Sequence, residues 1–434
     1  MEDYKMKKGL LFIAVFLIFT SAAYAHPVTI WSPLSVERTK IMQQITDEQF
    51  TARTGIEVKI YTIPSVGKES KYLLAAASGD TPDIGITGSL GPADLGIRGA
   101  AIDLKERFGE EYLEIKREMY PGLMRSFDYN GTDFGLPVDI ALYPLGYRLD
   151  ILTEMGMTVP KTWDELYQML PKLQANNLNF STAFGFSDGS GTMVYADVSM
   201  LIWQHGGDWY TENRTRSGLD SPEAIAGFIE FCELYTKHNV PKAVNSFMGF
   251  KTGEIPLLQL TNWWYSSFLL ATPELHGKWG VTVVPGTIRE DGSINHAAYI
   301  GGNTFVMFKT GKQIDNAFKW LKWWLSAETQ SEFATVVPEK IPGSIVIPAN
   351  IHAIANIPLP EDHLEAYMKQ AQHSIAPAYA LAPETVTHRF INNACAKVVL
   401  HEGDPMEAIL EAAREMNSEL ERKQSEYARF ISKL

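Results

Sequence analysis

Residues 135–166 read GLPVDIALYPLGYRLDILTEMGMTVPKTWDEL, and no other part of the chain carries as much information. The stretch contains three spaced elements: GLPVD at 135–139, LGYRLD at 145–150, and a run at 155–166 that ends in PKTWDEL. A long ordered string of this kind is more specific than one short motif. It therefore guides the interpretation of the rest of the sequence.

The chain around this stretch alternates strand patterns with helix patterns. Strands are predicted at 28–31, 56–63, 80–86 and 180–186, and helices at 36–54, 71–78, 192–204, 221–238 and 315–326. Alternation at this spacing predicts parallel βαβ units with right-handed crossovers. Because ligands bind beyond the carboxyl ends of such strands, we expect Ser32, Thr87 and Ser89 to lie on the ligand side.

The three elements resemble the crossover segment of the extracellular solute-binding proteins of ABC importers. In that family the usual forms are G-L-P-x-D, Y-N-K-D and G-x-x-x-P-K-T-W-D-E-L, so only the Asn and Lys of the second element differ here. Residues 75–84, AAASGDTPDI, are similar to the family's A-A-x-x-G-D-x-P-D-I. Residues 250–254, FKTGE, resemble the run that precedes a ligand-stacking tryptophan, which would be Trp263, although Pro256 departs from that run.

Two further segments extend the resemblance over nearly the whole chain. Gly301 and Gly302, before the strand pattern at 304–308, resemble the second crossover, and residues 343–348 resemble the third. The resemblance implies an α/β fold of two lobes, each a mainly parallel sheet flanked by helices. It places one lobe at 26–140 and 295–345, and the other at 141–294 and 346–434. No repeat or flexible linker is visible, so crossing strands are expected to join the lobes.

The resemblance also implies a function of the maltose and multiple-sugar type. A sugar or oligosaccharide would be captured by hinge closure and passed to the permease subunits of an ABC transporter, without catalysis, cofactor or metal. The protein is expected to act as a monomer. In maltose-binding relatives the loop after P-D-I carries a stacking tryptophan, whereas Thr87 stands there in this chain. The resemblance therefore does not identify the sugar or its length.

The amino terminus predicts export. Lys5, Lys7 and Lys8 precede an apolar run at 10–19, and Ala23 and Ala25 supply the small residues of a cleavage site after Ala25. Ten apolar residues are too few to cross roughly 30 Å of hydrocarbon. No cysteine follows the run, so a periplasmic protein without a lipid anchor is expected. Translation from Met6 would give a cleaner signal than translation from Met1.

Charge and cysteine content narrow the possible partners. The formal net charge of the 434 residues is -13, which argues against nucleic acid and against an anionic membrane surface. The only cysteines, Cys232 and Cys395, both fall on apolar stripes. An oxidising compartment would allow them to pair, and burial would keep them as free thiols, so both alternatives stay open.

Aromatic and polar residues in the motifs suggest a sugar site. A tryptophan face matches the C–H patches of a pyranose, while carboxylates and amides satisfy its hydroxyls, and Asn262 with Trp263 to Tyr265 offers both. Asp139 lies where the crossover brings backbone into the cleft. The residues expected to contact ligand are Trp263, Trp264, Tyr265, Asp139, Gly301, Gly302, Ser32, Thr87, Ser89, Tyr143, Tyr195, Asp197 and Trp203.

Two other functions compete with this interpretation. Residues 185–189, GFSDG, match the G-x-S-x-G elbow of a secreted serine hydrolase, with Ser187, Asp315 and His388 in triad order. The alternative within binding proteins is a non-sugar ligand, such as a polyamine or glycerol phosphate. A polyamine would need clustered acids and a phosphate would need clustered arginines, whereas the ten tryptophans favour neutral sugars.

Overall fold

The computed structural model describes residues 26–186 and 193–432, so the predicted signal segment and Ser187 lie outside it. The strands, in chain order, are β1 (Val28–Ser32), β2 (Val58–Thr62), β3 (Ile84–Thr87), β4 (Asp128–Tyr129), β5 (Thr132–Asp133), β6 (Gly135–Pro137), β7 (Asp139–Leu142), β8 (Leu145–Arg148), β9 (Phe180–Ser181), β10 (Leu257–Gln259), β11 (Trp279–Thr282), β12 (Thr287–Ile288), β13 (Ile294–Asn295), β14 (Ala298–Gly301), β15 (Thr304–Met307), β16 (Ile347–Pro348) and β17 (Ser374–Ile375).

The described residues also form α-helices along the whole chain. They are α1 (Val36–Ile45), α2 (Ala52–Thr54), α3 (Lys68–Ser78), α4 (Gly91–Ile97), α5 (Leu104–Phe108), α6 (Glu110–Arg117), α7 (Pro121–Met124), α8 (Leu149–Glu154), α9 (Trp163–Gln174), α10 (Val194–Gln204), α11 (Pro222–Thr236), α12 (Ser246–Thr252), α13 (Asn262–Ala271), α14 (Ile314–Trp324), α15 (Ala327–Lys340), α16 (Glu361–His373), α17 (Glu384–Val399) and α18 (Pro405–Ile431).

The first sheet has the strand order β2-β1-β3-β15-β6. β1 is parallel to both of its neighbours, which confirms the βαβ prediction for the amino-terminal part. β15 is antiparallel to β3 and to β6, so it alone runs against the other four strands. The buried side chains of Val28, Ile30 and Ile84 belong to its core.

The second sheet has the strand order β11-β8-β10-β9. β8 is antiparallel to β10 and β11, while β10 is parallel to β9. Three of the four strands therefore share one direction and β8 opposes them. Helices α8 and α16 contact this sheet, so the chain contains two larger sheets that pack against helices, as the predicted two-lobed α/β fold requires.

A third sheet connects these two regions, with the order β16-β7-β14-β17. β7 begins two residues after β6 ends, and β15 begins three residues after β14 ends. Both β14 and β16 are antiparallel to β7. The chain thus passes between the two larger sheets on paired strands, as the crossing-strand prediction required. The lobe boundaries that we assign near 140, 294 and 345 remain a prediction.

Two predicted elements differ from the observed ones. The helix at 36–54 contains a π-helical segment, Thr46–Thr51, between α1 and α2. The strand predicted at 180–186 ends at Ser181, and the chain turns at 183–186. The physical reason is that Asp197 Oδ2 accepts the backbone N–H groups of Phe184 and Gly185, so these amides are not available to a strand partner.

Tryptophan side chains contribute to the hydrophobic core. Trp320 and Trp324 in α14 are fully buried, and Trp323 is partly buried beside Phe50. Cys232 and Cys395 are both buried and both carry free thiols. Burial raises the pKa of each thiol, which keeps them uncharged and unreactive. Across 26–186 and 193–432, no helix combines the length and apolarity that crossing a membrane requires.

Candidate functional site

A cavity of about 520 Å³ opens where the connecting strands meet the first turn of α13. Its wall comes from β7, the loop between β14 and β15, residues 341–347, α13, and Arg38 of α1. Asp139, Asn262 and Asn303 supply polar groups to this wall beside Trp263. The volume lies within the range of small-molecule sites, roughly 300 to 1,000 Å³. The cavity is therefore the candidate ligand site.

Trp263 presents its ring to this cavity. The Thr261 side chain caps α13 by accepting a hydrogen bond from the Trp264 backbone N–H at 3.2 Å. The cap fixes the first turn, in which Trp263 is 49% exposed. Trp263 also borders a second cavity of about 650 Å³, which Phe184 and Trp264 help to line. The Trp263 and Phe184 ring centroids are 5.9 Å apart, so the two rings form a continuous aromatic surface.

The two residues after Trp263 point elsewhere, because successive helical side chains are about 100° apart around the axis. Trp264 is half-buried against Phe247 and lines only the second cavity. Tyr265 is fully buried, and its hydroxyl lies 2.8 Å from Nδ1 of His363. The expectation that Tyr265 contacts ligand is therefore corrected: its side chain belongs to the core.

The Asn262 side chain links α13 to the connecting strand β7 by two hydrogen bonds. Its Nδ2 donates to the backbone oxygen of Ile140 at 3.1 Å, and its Oδ1 accepts from the Leu142 N–H at 3.3 Å. Both bonds span more than a hundred positions of sequence. They hold the Trp263 ring in a fixed position relative to Asp139 and Ala141 at the cavity wall.

Replacing Asn262 with alanine is expected to lower the free energy of unfolding by roughly 1 to 2 kcal/mol, because two partly buried backbone groups lose their partners. Urea denaturation measures this loss. Asn176→Ala is the control, since Asn176 is exposed and makes one bond within its own helical region, and we expect it to change stability by less than about 0.5 kcal/mol. Equal effects of the two substitutions would show that Asn262 does not tie α13 to β7.

Asp139 and Asn303 form a paired unit at the connecting strands. Asp139 Oδ1 accepts from the backbone N–H and Nδ2 of Asn303 at 2.9 Å each, and Oδ2 accepts from Nδ2 at 3.0 Å. Burial raises the pKa of Asp139, while the Asn303 bonds and the charge of Arg38 act in the opposite direction. Glycine at position 302 allows the loop between β14 and β15 to lie close to β7, because a Cβ there would be 2.2 Å from the Asp139 backbone oxygen.

Arg38 brings a positive charge to the cavity wall. One of its guanidinium nitrogens, Nη2, donates to Ser344 Oγ at 2.6 Å and to the Ile345 backbone oxygen at 3.1 Å. Arg38 thereby joins α1 to the third connecting segment. Arg38 could not be predicted from the sequence, since its partners lie more than 300 positions away and no local pattern connects them.

The residues expected at the strand ends of the first sheet do not reach the cavity. Ser32 is fully buried and its Oγ lies 3.0 Å from Thr39 Oγ1. Thr87 is fully buried and donates to the Gly88 backbone oxygen at 2.9 Å. Ser89 is buried, with its Oγ 3.4 Å from the Gly302 oxygen. These hydroxyls satisfy local backbone and side-chain groups, which corrects their assignment to ligand contact.

Four other residues that are predicted to contact ligand form a buried group around Tyr299. The rings of Tyr143, Tyr195 and Trp203 lie 5.8 to 6.0 Å from the Tyr299 ring. Gly301 follows on the same strand, and a Cβ there would lie 3.2 Å from the Tyr299 ring. None of these side chains lines the 520 Å³ cavity, because each packs within the core. Their assignment to ligand contact stays a prediction.

Asp197 is also buried, with 1% of its surface exposed. Its Oδ2 accepts from the Phe184 N–H at 3.1 Å and from the Gly185 N–H at 2.7 Å. Burial raises the pKa of Asp197 to about 6. The carboxylate does not line the cavity, which corrects the ligand-contact expectation, but it lies directly behind the turn that carries Phe184.

The residues of the hydrolase alternative lie in different surroundings. Asp315 is exposed and pairs with Arg107 at 2.6 Å. His388 is buried, and its ring stacks on Tyr195 with centroids 3.5 Å apart. Burial lowers the pKa of His388 to about 3. A catalytic histidine needs an acid partner and access to substrate. Here Asp315 pairs with Arg107 and not with His388, and the His388 side chain is buried. In the described residues no group of three or more metal-ligating side chains comes together.

Comparisons with solved structures show the same two-lobed fold. A sugar-binding protein from Xanthomonas citri aligns with a TM-score of 0.77 at 18% identity, over 93% of this chain and 99% of that one. A cyclic α-maltosyl-1,6-maltose-binding protein from Arthrobacter globiformis aligns with a TM-score of 0.76 at 20% identity, over 92% of this chain and 100% of that one.

Sequence comparisons find relatives of the same type. A maltotriose-binding protein from Pyrococcus abyssi is 24% identical over 300 residues, which is 68% of this chain and 62% of that protein. A lactose-binding protein from Rhizobium radiobacter is 20% identical over 332 residues, 71% of this chain and 72% of that protein. The family model for bacterial extracellular solute-binding proteins matches residues 33–331. This protein therefore belongs to the bacterial extracellular solute-binding proteins.

Proposed function

We propose that this protein captures an oligosaccharide in the cavity beside Trp263 and delivers it to the permease of an ABC importer. The observation that carries the proposal is the half-exposed indole at the border of two cavities, next to polar groups on the connecting strands. A pyranose stacked on Trp263 would turn its hydroxyl edge toward Asp139 and Asn303. The second cavity would accommodate a neighbouring sugar ring against Phe184.

The charges around the cavity favour a neutral ligand over the alternatives. In the described part of its wall, Asp139 is the single carboxylate and Arg38 the single guanidinium. A polyamine would need several carboxylates, and a phosphate ester would need several cationic groups. Asp139 and Arg38 can each still bond hydroxyl groups, which suits a sugar edge.

Delivery requires that the ligand change the shape of the protein. The cavity wall draws residues from α1, from the connecting strands and from α13, so one ligand would contact both larger regions of the chain. A ligand that binds the closed form more tightly shifts the population toward that form. We infer that the closed monomer, exported to the periplasm, is the form that the permease recognises.

A thermal-shift screen of the protein from His26 onward tests the proposal. The panel comprises maltotriose, lactose, arabinotriose, glycerol 3-phosphate, spermidine and p-nitrophenyl acetate, with ester hydrolysis recorded in the same wells. A ligand at 100 times its Kd stabilises the fold by about 2.7 kcal/mol, which is readily detected. We expect a saturable shift with at least one oligosaccharide.

Other outcomes of this screen would contradict the proposal. A shift confined to spermidine or glycerol 3-phosphate would assign a different ligand class. Ester turnover that Ser187→Ala abolishes would establish the hydrolase instead. The absence of a shift with every sugar, in protein that unfolds cooperatively, would contradict sugar capture by this cavity at accessible concentrations.

A further inference from the structure

One buried carboxylate lies immediately behind the aromatic surface of the candidate site. Asp197 is in α10, and its Oδ2 is bonded to two successive backbone N–H groups, those of Phe184 and Gly185. Gly185 has a φ of +52°, a conformation that favours glycine. The Asp197 side chain therefore helps to hold the turn that carries Phe184, together with the Phe186 N–H, which donates to the Lys242 backbone oxygen at 2.9 Å.

The Phe184 ring connects this turn to the cavity. Its centroid lies 5.9 Å from the Trp263 ring on one side and 5.6 Å from the Tyr143 ring on the other. Phe184 and Trp263 both line the 650 Å³ cavity. A displacement of the Phe184 backbone would therefore change the shape of the surface on which a second sugar ring would rest.

We propose that Asp197 is a positioning residue for ligand binding: by accepting the Phe184 and Gly185 N–H groups it preorganises the Phe184 ring beside Trp263. This inference rests on the proposed function for the role of the two rings, but the geometry of the turn is independent of any ligand. A preformed aromatic surface binds more tightly, because less side-chain and loop entropy is lost on binding. Hydrogen bonds to an ionised acceptor are about twice as strong as neutral ones, so the charge of Asp197 matters.

The surroundings of Asp197 make its charge sensitive to mildly acidic pH. Burial raises its pKa to about 6. The titratable groups that interact with its charge are Tyr143, Tyr235 and Cys395, and burial raises the pKa of each, so all three are neutral near pH 6. His388, on the neighbouring α17, is also neutral there. Among the described residues, Asp197 is thus the member of this group that changes charge between pH 5 and 8.

The first test needs no ligand. Hydrogen–deuterium exchange is followed for the peptide that contains Phe184 and Gly185, in wild type, Asp197→Asn and Asp197→Ala. We expect exchange to accelerate in the order wild type, Asn, Ala at pH 7.5, since asparagine keeps a neutral acceptor and alanine keeps none. Asp133→Asn is the control, because Asp133 is a buried carboxylate that bonds Lys116 in the first lobe. Unchanged exchange in Asp197→Ala would overturn the proposal.

The second test uses maltotriose and calorimetry. We expect Asp197→Ala to raise its Kd about tenfold and Asp197→Asn about threefold at pH 7.5. Wild-type affinity should fall toward that of Asp197→Asn between pH 7.5 and 5, while the affinity of the Asn variant should change less over the same range, because Asp139 is common to both proteins. In a Phe184→Ala background, Asp197→Ala should have little further effect, because the two residues act in series. Additive effects, or equal pH profiles, would contradict the positioning role.

The two proposals fail separately. A wild type that does not bind maltotriose or any other sugar of the panel contradicts the proposed function, and the exchange experiment still decides whether Asp197 holds the turn. A wild type that binds normally, with Asp197→Ala binding equally well, contradicts the positioning role and leaves the proposed function intact.

Discussion

Replacing Trp263 with alanine is expected to weaken oligosaccharide binding by roughly 30- to 1,000-fold, which corresponds to about 2 to 4 kcal/mol. The substitution removes the face on which a pyranose would stack and joins the two cavities that the indole separates. Trp263 is 49% exposed, so its loss should change the free energy of unfolding little. Isothermal titration calorimetry and urea denaturation of the same preparation separate these effects.

Trp323→Ala is the matched control for this prediction. Trp323 is a partly buried tryptophan that packs against Phe50 and Trp320, and it lines neither cavity. Its truncation should lower stability and leave sugar affinity within about twofold of wild type. Equal affinity of the Trp263→Ala variant and wild type would remove Trp263 from the site.

Replacing Asp197 with asparagine is expected to raise the free energy of unfolding by about 3 kcal/mol at pH 8. Burial raises the pKa of folded Asp197 from 3.8 to about 6, and each pKa unit corresponds to 1.36 kcal/mol. The free energy that protonated Asp197 contributes to stability is fully present below about pH 4 and is lost as the pH rises through 6. Asparagine stays neutral, so the difference from wild type should vanish near pH 4.

Denaturation at several pH values measures that difference directly. Asp133→Asn should show the opposite sign at pH 8, since it removes the charge that pairs with Lys116 at 2.9 Å. A pH-independent difference between wild type and Asp197→Asn would mean that Asp197 does not carry a buried charge. If the Asp197→Asn variant is more stable than wild type and binds the sugar more weakly, then the Asp197 carboxylate favours ligand binding at the expense of stability.

Local patterns were sufficient to predict the main features of the fold. The strand at 28–31, the parallel pairing of the first three strands and the connecting strands at Asp139 and Gly301 all follow from periodicity or from the 135–166 string. These features depend on residues close together in sequence or on motifs with fixed order. The exposure of Trp263 agrees with the expectation from the same motifs.

The candidate site was less predictable, because its contacts join distant parts of the chain. Arg38 meets Ser344 and Ile345 across more than 300 residues. Residues 180–186 alternate like a strand. However, Asp197 accepts hydrogen bonds from the backbone N–H groups of Phe184 and Gly185, and this end of the segment forms a turn. Tyr265 follows two aromatic residues at the site but faces the core, since the segment is a helix and not a strand.

A crystal structure with the oligosaccharide that gives the largest thermal shift would show directly whether sugar binds beside Trp263. We expect a pyranose ring stacked on the face of Trp263, with hydroxyl oxygens within hydrogen-bond distance of Asp139, Asn303 or Arg38, and a second ring near Phe184. A sugar bound elsewhere, with the cavity beside Trp263 unoccupied, would contradict it.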